Sequence, residues 1–119
     1  MKKKIATAWV KALRGSDYEF GAKHCMRENF EDGYRYDPLG VLCDLAVQAK
    51  KARWKLASPD MVGVWWVDGE CPFWPSDGVV EWAGISDMDY LEDTVMEAYD
   101  NGTPVKRVAD FIEENFEQL

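Results

Sequence analysis

The sequence predicts a single compact α+β domain spanning residues 1–119, with about five helices packed around one or two short antiparallel β-hairpins. Three observations predict it. A chain of 119 residues, 47% of them apolar, can build one core and is too short for two ordinary domains. Separate segments read as helices, each bounded by a capping or turn residue. Between them lie Asp32-Gly33 and Asp68-Gly69, dipeptides favoured in two-residue hairpin turns.

Lys4 to Leu13 reads as the first helix, because Ile5, Ala8, Trp9, Ala12 and Leu13 recur at helical spacing. Gly15 is placed to end it, and Arg14 suits its negative end. Tyr18, Phe20 and Gly21 read as extended. Cys25 to Phe30 and Tyr34 to Asp37 read as two strands of a first hairpin. A second helix is predicted from Pro38 to about Arg53. Proline suits the first helical position, where its missing N–H has no partner to lose, and Asp37 before it can accept the orphan N–H groups. The apolar run that follows leaves little room for a wet face, so this helix is expected to be buried.

The middle of the chain has no helical period. Val62 to Val67 reads as a strand, with a return strand near Glu70 to Phe73. Pro75 to Ala83 reads as a short helix, with Val79, Val80 and Trp82 inward and Gly84 as its stop. Ser86 is the expected cap of a helix from Asp87 to Asp100, whose apolar positions are Leu91, Val95, Ala98 and Tyr99. Asn101-Gly102 breaks it. Thr103 and Pro104 open a last helix with Val105, Val108, Ile112 and Phe116 as its stripe and Glu113, Glu114 and Glu117 outward.

The net charge of −8 hides a polarity. Met1 to Pro59 holds 12 Lys/Arg against 7 Asp/Glu, whereas Asp60 to Leu119 holds 2 against 15. Either the halves form a bipolar surface, or they interleave and the charges mix. A separate acidic half would repel nucleic acid, so no direct DNA binding is expected. Cys25, Cys43 and Cys71 are odd in number and match no metal spacing, which fits free thiols in a cytoplasm. The start shows no clean export signal and no stretch has the length of a membrane span, so no membrane association is expected.

Three segments carry a family resemblance. They are Trp9 to Gly15 with Tyr18; the run Leu39-Gly40-Val41-Leu42-Cys43-Asp44-Leu45; and the tail segments Val80 to Ile85, Asp100 to Thr103 and Val108 to Glu113. Together they resemble a family of small bacteriophage and prophage proteins of unknown function. The resemblance covers most of the chain and implies a setting, not a reaction. Members of that family often carry two cysteines directly before the Leu-Gly-Val-Leu-Cys-Asp-Leu run. This chain has Asp37 and Pro38 there, so no thiol or metal role of that pair can operate in it.

No catalytic constellation stands out. His24 is the only histidine, and its neighbour Cys25 would point away from it on a strand. The carboxylates are scattered, no phosphate loop occurs, and neither a cofactor nor a metal is expected. The functional signal is aromatic and basic. Lys23, Arg27, Tyr34, Arg35 and Tyr36 gather in the first hairpin, and Trp65, Trp66 and Trp74 surround the Asp68-Gly69 turn. Stacking rings beside cations suit a planar anion. Alternation would put Tyr34 and Tyr36 on one face and Arg35 on the other, and would split Trp65 from Trp66. The resulting expectation is a non-enzymatic phage protein that sequesters a nucleotide-type ligand of host defence, with a second subunit completing the site. The alternative is an acidic inhibitor of a host or defence protein, anti-CRISPR-like or a nucleic-acid mimic, acting through Glu92, Asp93, Glu97, Glu113, Glu114 and Glu117. A nucleotide-degrading enzyme has the least support.

Overall fold

The computed structural model describes residues 1–22, 27–30, 33–56, 64–69 and 75–119, with the side chain of Phe30 left aside. In chain order the elements are α1 (Lys3–Arg14), β1 (Arg27–Phe30), β2 (Gly33–Tyr36), α2 (Pro38–Gln48), β3 (Trp54–Leu56), β4 (Val64–Val67) and α3 (Asp77–Ala83). Then come α4 (88–100) and α5 (Val105–Asn115), which ends in a 3₁₀ turn at Phe116–Gln118. This is the expected α+β domain, five helices with antiparallel strands.

The strands form one sheet rather than separate hairpins, in the order β2-β1-β4-β3 with every pair antiparallel. Arg27 lies opposite Tyr36 on one side and Trp65 on the other, and Trp65 lies opposite Leu56. Strand alternation therefore puts Arg27, Tyr34, Tyr36, Trp54, Trp65 and Val67 on one face, and Glu28, Arg35, Lys55 and Trp66 on the other. The first face meets the helices through Tyr36 and Val67, which are buried.

The buried helix is α2. Every residue from Pro38 to Cys43 is inaccessible, as is Ala46, and Asp37 caps the helix by accepting the Gly40 N–H at 2.6 Å. Trp9, fully buried on α1, donates its indole N–H to the Pro38 carbonyl at 2.8 Å and ties α1 to that cap. The inward face of α1 is Ala6, Trp9, Val10 and Leu13; Ala8, expected inside, is exposed. The most extensive partner of α1 is α5, at the far end of the sequence. Arg14 reaches Asp110 at 2.6 Å and Glu113 at 2.8 Å across that contact. Here a basic residue of the first half meets acidic residues of the second, so the charges mix at this contact.

Several boundaries differ from the sequence reading, each for a local reason. The second helix stops at Gln48, five residues short of Arg53, because Lys50 turns left-handed at φ 60°. The N–H of Lys50 then bonds Val47 and that of Lys51 bonds Ala46 at 2.8 Å, the paired closure that usually uses glycine. Beyond these residues lies β3, which reads in the sequence as part of the irregular middle. Asp87 rather than Ser86 caps α4, accepting the Tyr90 N–H at 3.0 Å. Ser86 instead bonds the Leu119 carbonyl through both N–H and hydroxyl. No side chain caps α5, so Thr103 does not do so. Asp68 and Gly69 both hold positive φ, as the expected turn requires; the return strand at 70–73 lies outside the described residues, as does Asp32 of the first turn.

Gly84 ends α3 in the left-handed conformation at φ 69°. A Cβ there would stand 2.8 Å from the Lys2 Cγ and 3.2 Å from the Lys2 nitrogen, whose N–H bonds the Ala83 carbonyl. Gly84→Ala is expected to lower stability by about 1–2 kcal/mol for the backbone conformation alone, and a urea melt measures it. No loss would mean that the Lys2 end simply gives way.

Candidate functional site

The antiparallel register brings three rings around one cation. The Arg27 guanidinium carbon lies 4.0 Å from the ring centre of Tyr34, 4.6 Å from Trp65 and 4.9 Å from Trp54. Trp65 is the direct cross-strand neighbour, while Tyr34 is reached diagonally. Each such contact contributes about 0.5–2 kcal/mol, more as water is excluded. Among the described residues, the buried Arg27 Nε meets no hydrogen-bond partner, and neither do the indole N–H groups of Trp65 and Trp66. These are all donors. A buried donor with no acceptor costs about 1–3 kcal/mol.

The arrangement continues into the helices through Trp54 and Tyr36. Trp54 donates its N–H to Asp44 Oδ1 at 2.9 Å. Asp44 Oδ2 accepts from the Tyr18 hydroxyl at 2.7 Å and from Gln48 Nε2 at 2.9 Å, and Gln48 also donates to the Tyr18 oxygen at 3.0 Å. Tyr36 lies between the two groups, edge-on to Tyr18 at 4.9 Å and to Trp54 at 6.4 Å. Burial pushes the Tyr18 phenol up, and its bond to the Asp44 carboxylate adds to that. Burial does the same to Tyr36, helped by Asp44 and opposed by the Arg27 charge. Both phenols therefore stay protonated at neutral pH, and Tyr18 acts as a donor to Asp44. Among the described residues, the donors that hold Asp44 are thus all neutral.

This polar, aromatic floor opens on a cleft of about 620 Å³. Its floor is Tyr18, Tyr36, Asp44 and Gln48; its wall is α1, through Ala8, Lys11 and Ala12. The volume lies within the roughly 300–1,000 Å³ of small-molecule sites. Small residues on the α1 face make the space, which explains why Ala8 and Ala12 fit helical spacing without being core.

Of the residues expected at a ligand site, Arg27, Tyr34, Tyr36 and Trp65 share one sheet face. Arg35 and Trp66 lie on the other, with Arg35 opposite Glu28 in register. Lys23 and Trp74 lie outside the described residues, as do His24, Cys25 and Cys71. Cys43 is fully buried, and burial pushes its thiol well up, so it is a core residue rather than a nucleophile. Among the acidic candidates, Asp93, Glu97, Glu114 and Glu117 are exposed and Glu92 is half-buried, while Glu113 is engaged by Arg14. Sequence reasoning missed Tyr18, Asp44, Gln48 and Trp54. A signal existed for two of them: Asp44 and Gln48 are the polar residues of an otherwise apolar helix, four apart and so on one face.

A small α+β domain with an aromatic cleft is the class that fold and site define. The model of a family described as a domain of unknown function (DUF8296) matches residues 1–116, and the chain belongs to that family. No curated protein and no solved structure matches it. Among the described residues, no helix is long and apolar enough to cross a membrane.

Proposed function

We propose that the protein binds, without converting it, a small planar anion of the nucleotide type at the Arg27 face and the adjoining cleft. In the phage setting that the sequence resemblance suggests, binding would withdraw a signal of host defence. The observation that carries the reading is the unmet donor capacity, among the described residues, of the Arg27 Nε and the Trp65 indole N–H on a sheet face rich in stacking rings. An acceptor-rich anion meets that demand, and the cleft beside Tyr36 gives room for its planar part. The acidic-inhibitor reading draws less support, because Arg14 already neutralises part of the α5 face.

Calorimetry against a panel of mononucleotides and cyclic nucleotides tests the proposal. At least one should bind, and Arg27→Gln should weaken it about tenfold or more, as expected for loss of a charged hydrogen bond. Trp65→Phe keeps a ring and removes the N–H, so it should weaken binding less. Absence of heat with every nucleotide would sink the reading. Capture of a host protein lost on reversing Glu92, Asp93 or Glu97 would replace it with the inhibitor.

A further inference from the structure

A second cavity lies away from the Arg27 face, in the angle between α4 and α5. It measures about 270 Å³. Val95, Ala98, Val108 and Phe111 form its apolar walls. Val95 and Val108 are core residues, only 1% and 2% exposed, so the floor of the cavity is the domain core itself. One turn of α4, Glu92–Met96, is π-helical. A π turn holds one residue more than an α turn, widens the helix and recurs at functional sites. Thr94, on that turn, also lines the cavity, and its hydroxyl is already engaged with the Tyr90 carbonyl at 2.6 Å. The short side chain of Ala98 leaves the space open opposite Phe111.

The mouth has the opposite character. Its charged lining residue is Arg107, which is exposed and forms no ion pair with any described residue. The first turn of α5 opens at the same place, and no side chain caps it. An uncapped helix start leaves N–H groups unsatisfied and carries a partial positive charge. Thr103 adds a hydroxyl beside it. An apolar pocket with a cation and a positive helix end at its mouth is complementary to an amphipathic anion. The volume sits just under the roughly 300–1,000 Å³ of ordinary ligand sites, which sets the length as short.

We propose that this cavity binds a short aliphatic carboxylate, with the chain between α4 and α5 and the carboxylate on Arg107. The guanidinium fork matches a carboxylate in a way that a hydroxyl or an amine cannot reproduce. The site is independent of the nucleotide reading, since it shares no residue with the Arg27 face.

Amide chemical shifts followed on adding octanoate test it. Saturable shifts are expected at Ala98, Val108 and Phe111, while octylamine and 1-octanol should bind at least tenfold more weakly. Arg107→Gln, at an exposed position, should weaken octanoate about tenfold or more. Ala98→Leu should abolish the shifts by filling the space. The proposal is overturned if octanoate gives no saturable shift, if octanol or octylamine matches it, or if Arg107→Gln binds as tightly as the natural chain. The last comparison stands even where Ala98→Leu perturbs the helix pair.

Discussion

Replacing Leu119 by alanine is expected to lower stability by about 2–5 kcal/mol, the range for truncating a leucine in a core. The last residue of a sequence is usually frayed and tolerant. Here Leu119 is fully buried in the main apolar cluster. Its carbonyl accepts the Ser86 N–H at 2.7 Å and the Asp87 N–H at 3.3 Å, which fixes the approach to α4. The melting midpoint should fall by roughly 10 °C for a domain of this size. Glu117→Ala, two residues earlier and exposed, is the control and should change stability by no more than about 0.5 kcal/mol. Urea or thermal melts of the two variants decide the matter. Equal effects would mean that the end of the chain does not dock as described.

Asp37 gives the second large effect, through pH. Burial pushes its carboxyl up to about 7 from 3.8, against the Gly40 N–H bond that favours the charged form. The folded state therefore holds this proton more tightly than the unfolded chain. The stability contributed by this group is full below pH 3.8 and is lost as pH rises through about 7. Across that window the effect is at most roughly 4 kcal/mol. Asp37→Asn keeps an N-cap acceptor and removes the titration. Melts between pH 4 and pH 8 should show a stability component that falls with pH in the natural chain and is flattened in the variant. If both chains had the same pH profile, the carboxyl would not titrate in this range.

The helices were legible because their signals are local. Asp37-Pro38 caps α2 where the sequence places it, and Gly84 stops α3 as its position implies. Lys50 misled the reading of the α2 end, since a lysine in a left-handed closure carries no compositional mark. The strand β3, with Trp54, was missed because it is three residues long and lies in a stretch without a clear period. The single sheet was not legible either, because the β1 to β4 pairing joins segments almost forty residues apart and nothing local specifies it. The site failed in the same way. Arg27, Tyr34 and Tyr36 were visible as hairpin neighbours, while Tyr18 and Asp44 meet only through tertiary packing across 26 positions. The π turn in α4 was hidden because its apolar positions also satisfy ordinary helical spacing.

The pairing of α1 with α5 has a consequence for synthesis. Helix α1 has its most extensive partner about a hundred positions later, and its apolar face lacks that cover until 105–119 has emerged. At about 5–20 residues per second, that is a delay on the order of 5–20 s. During it a strongly amphipathic helix waits with its apolar face open. Folding of this domain is therefore expected to wait for the segment 105–119, which closes the apolar face of α1.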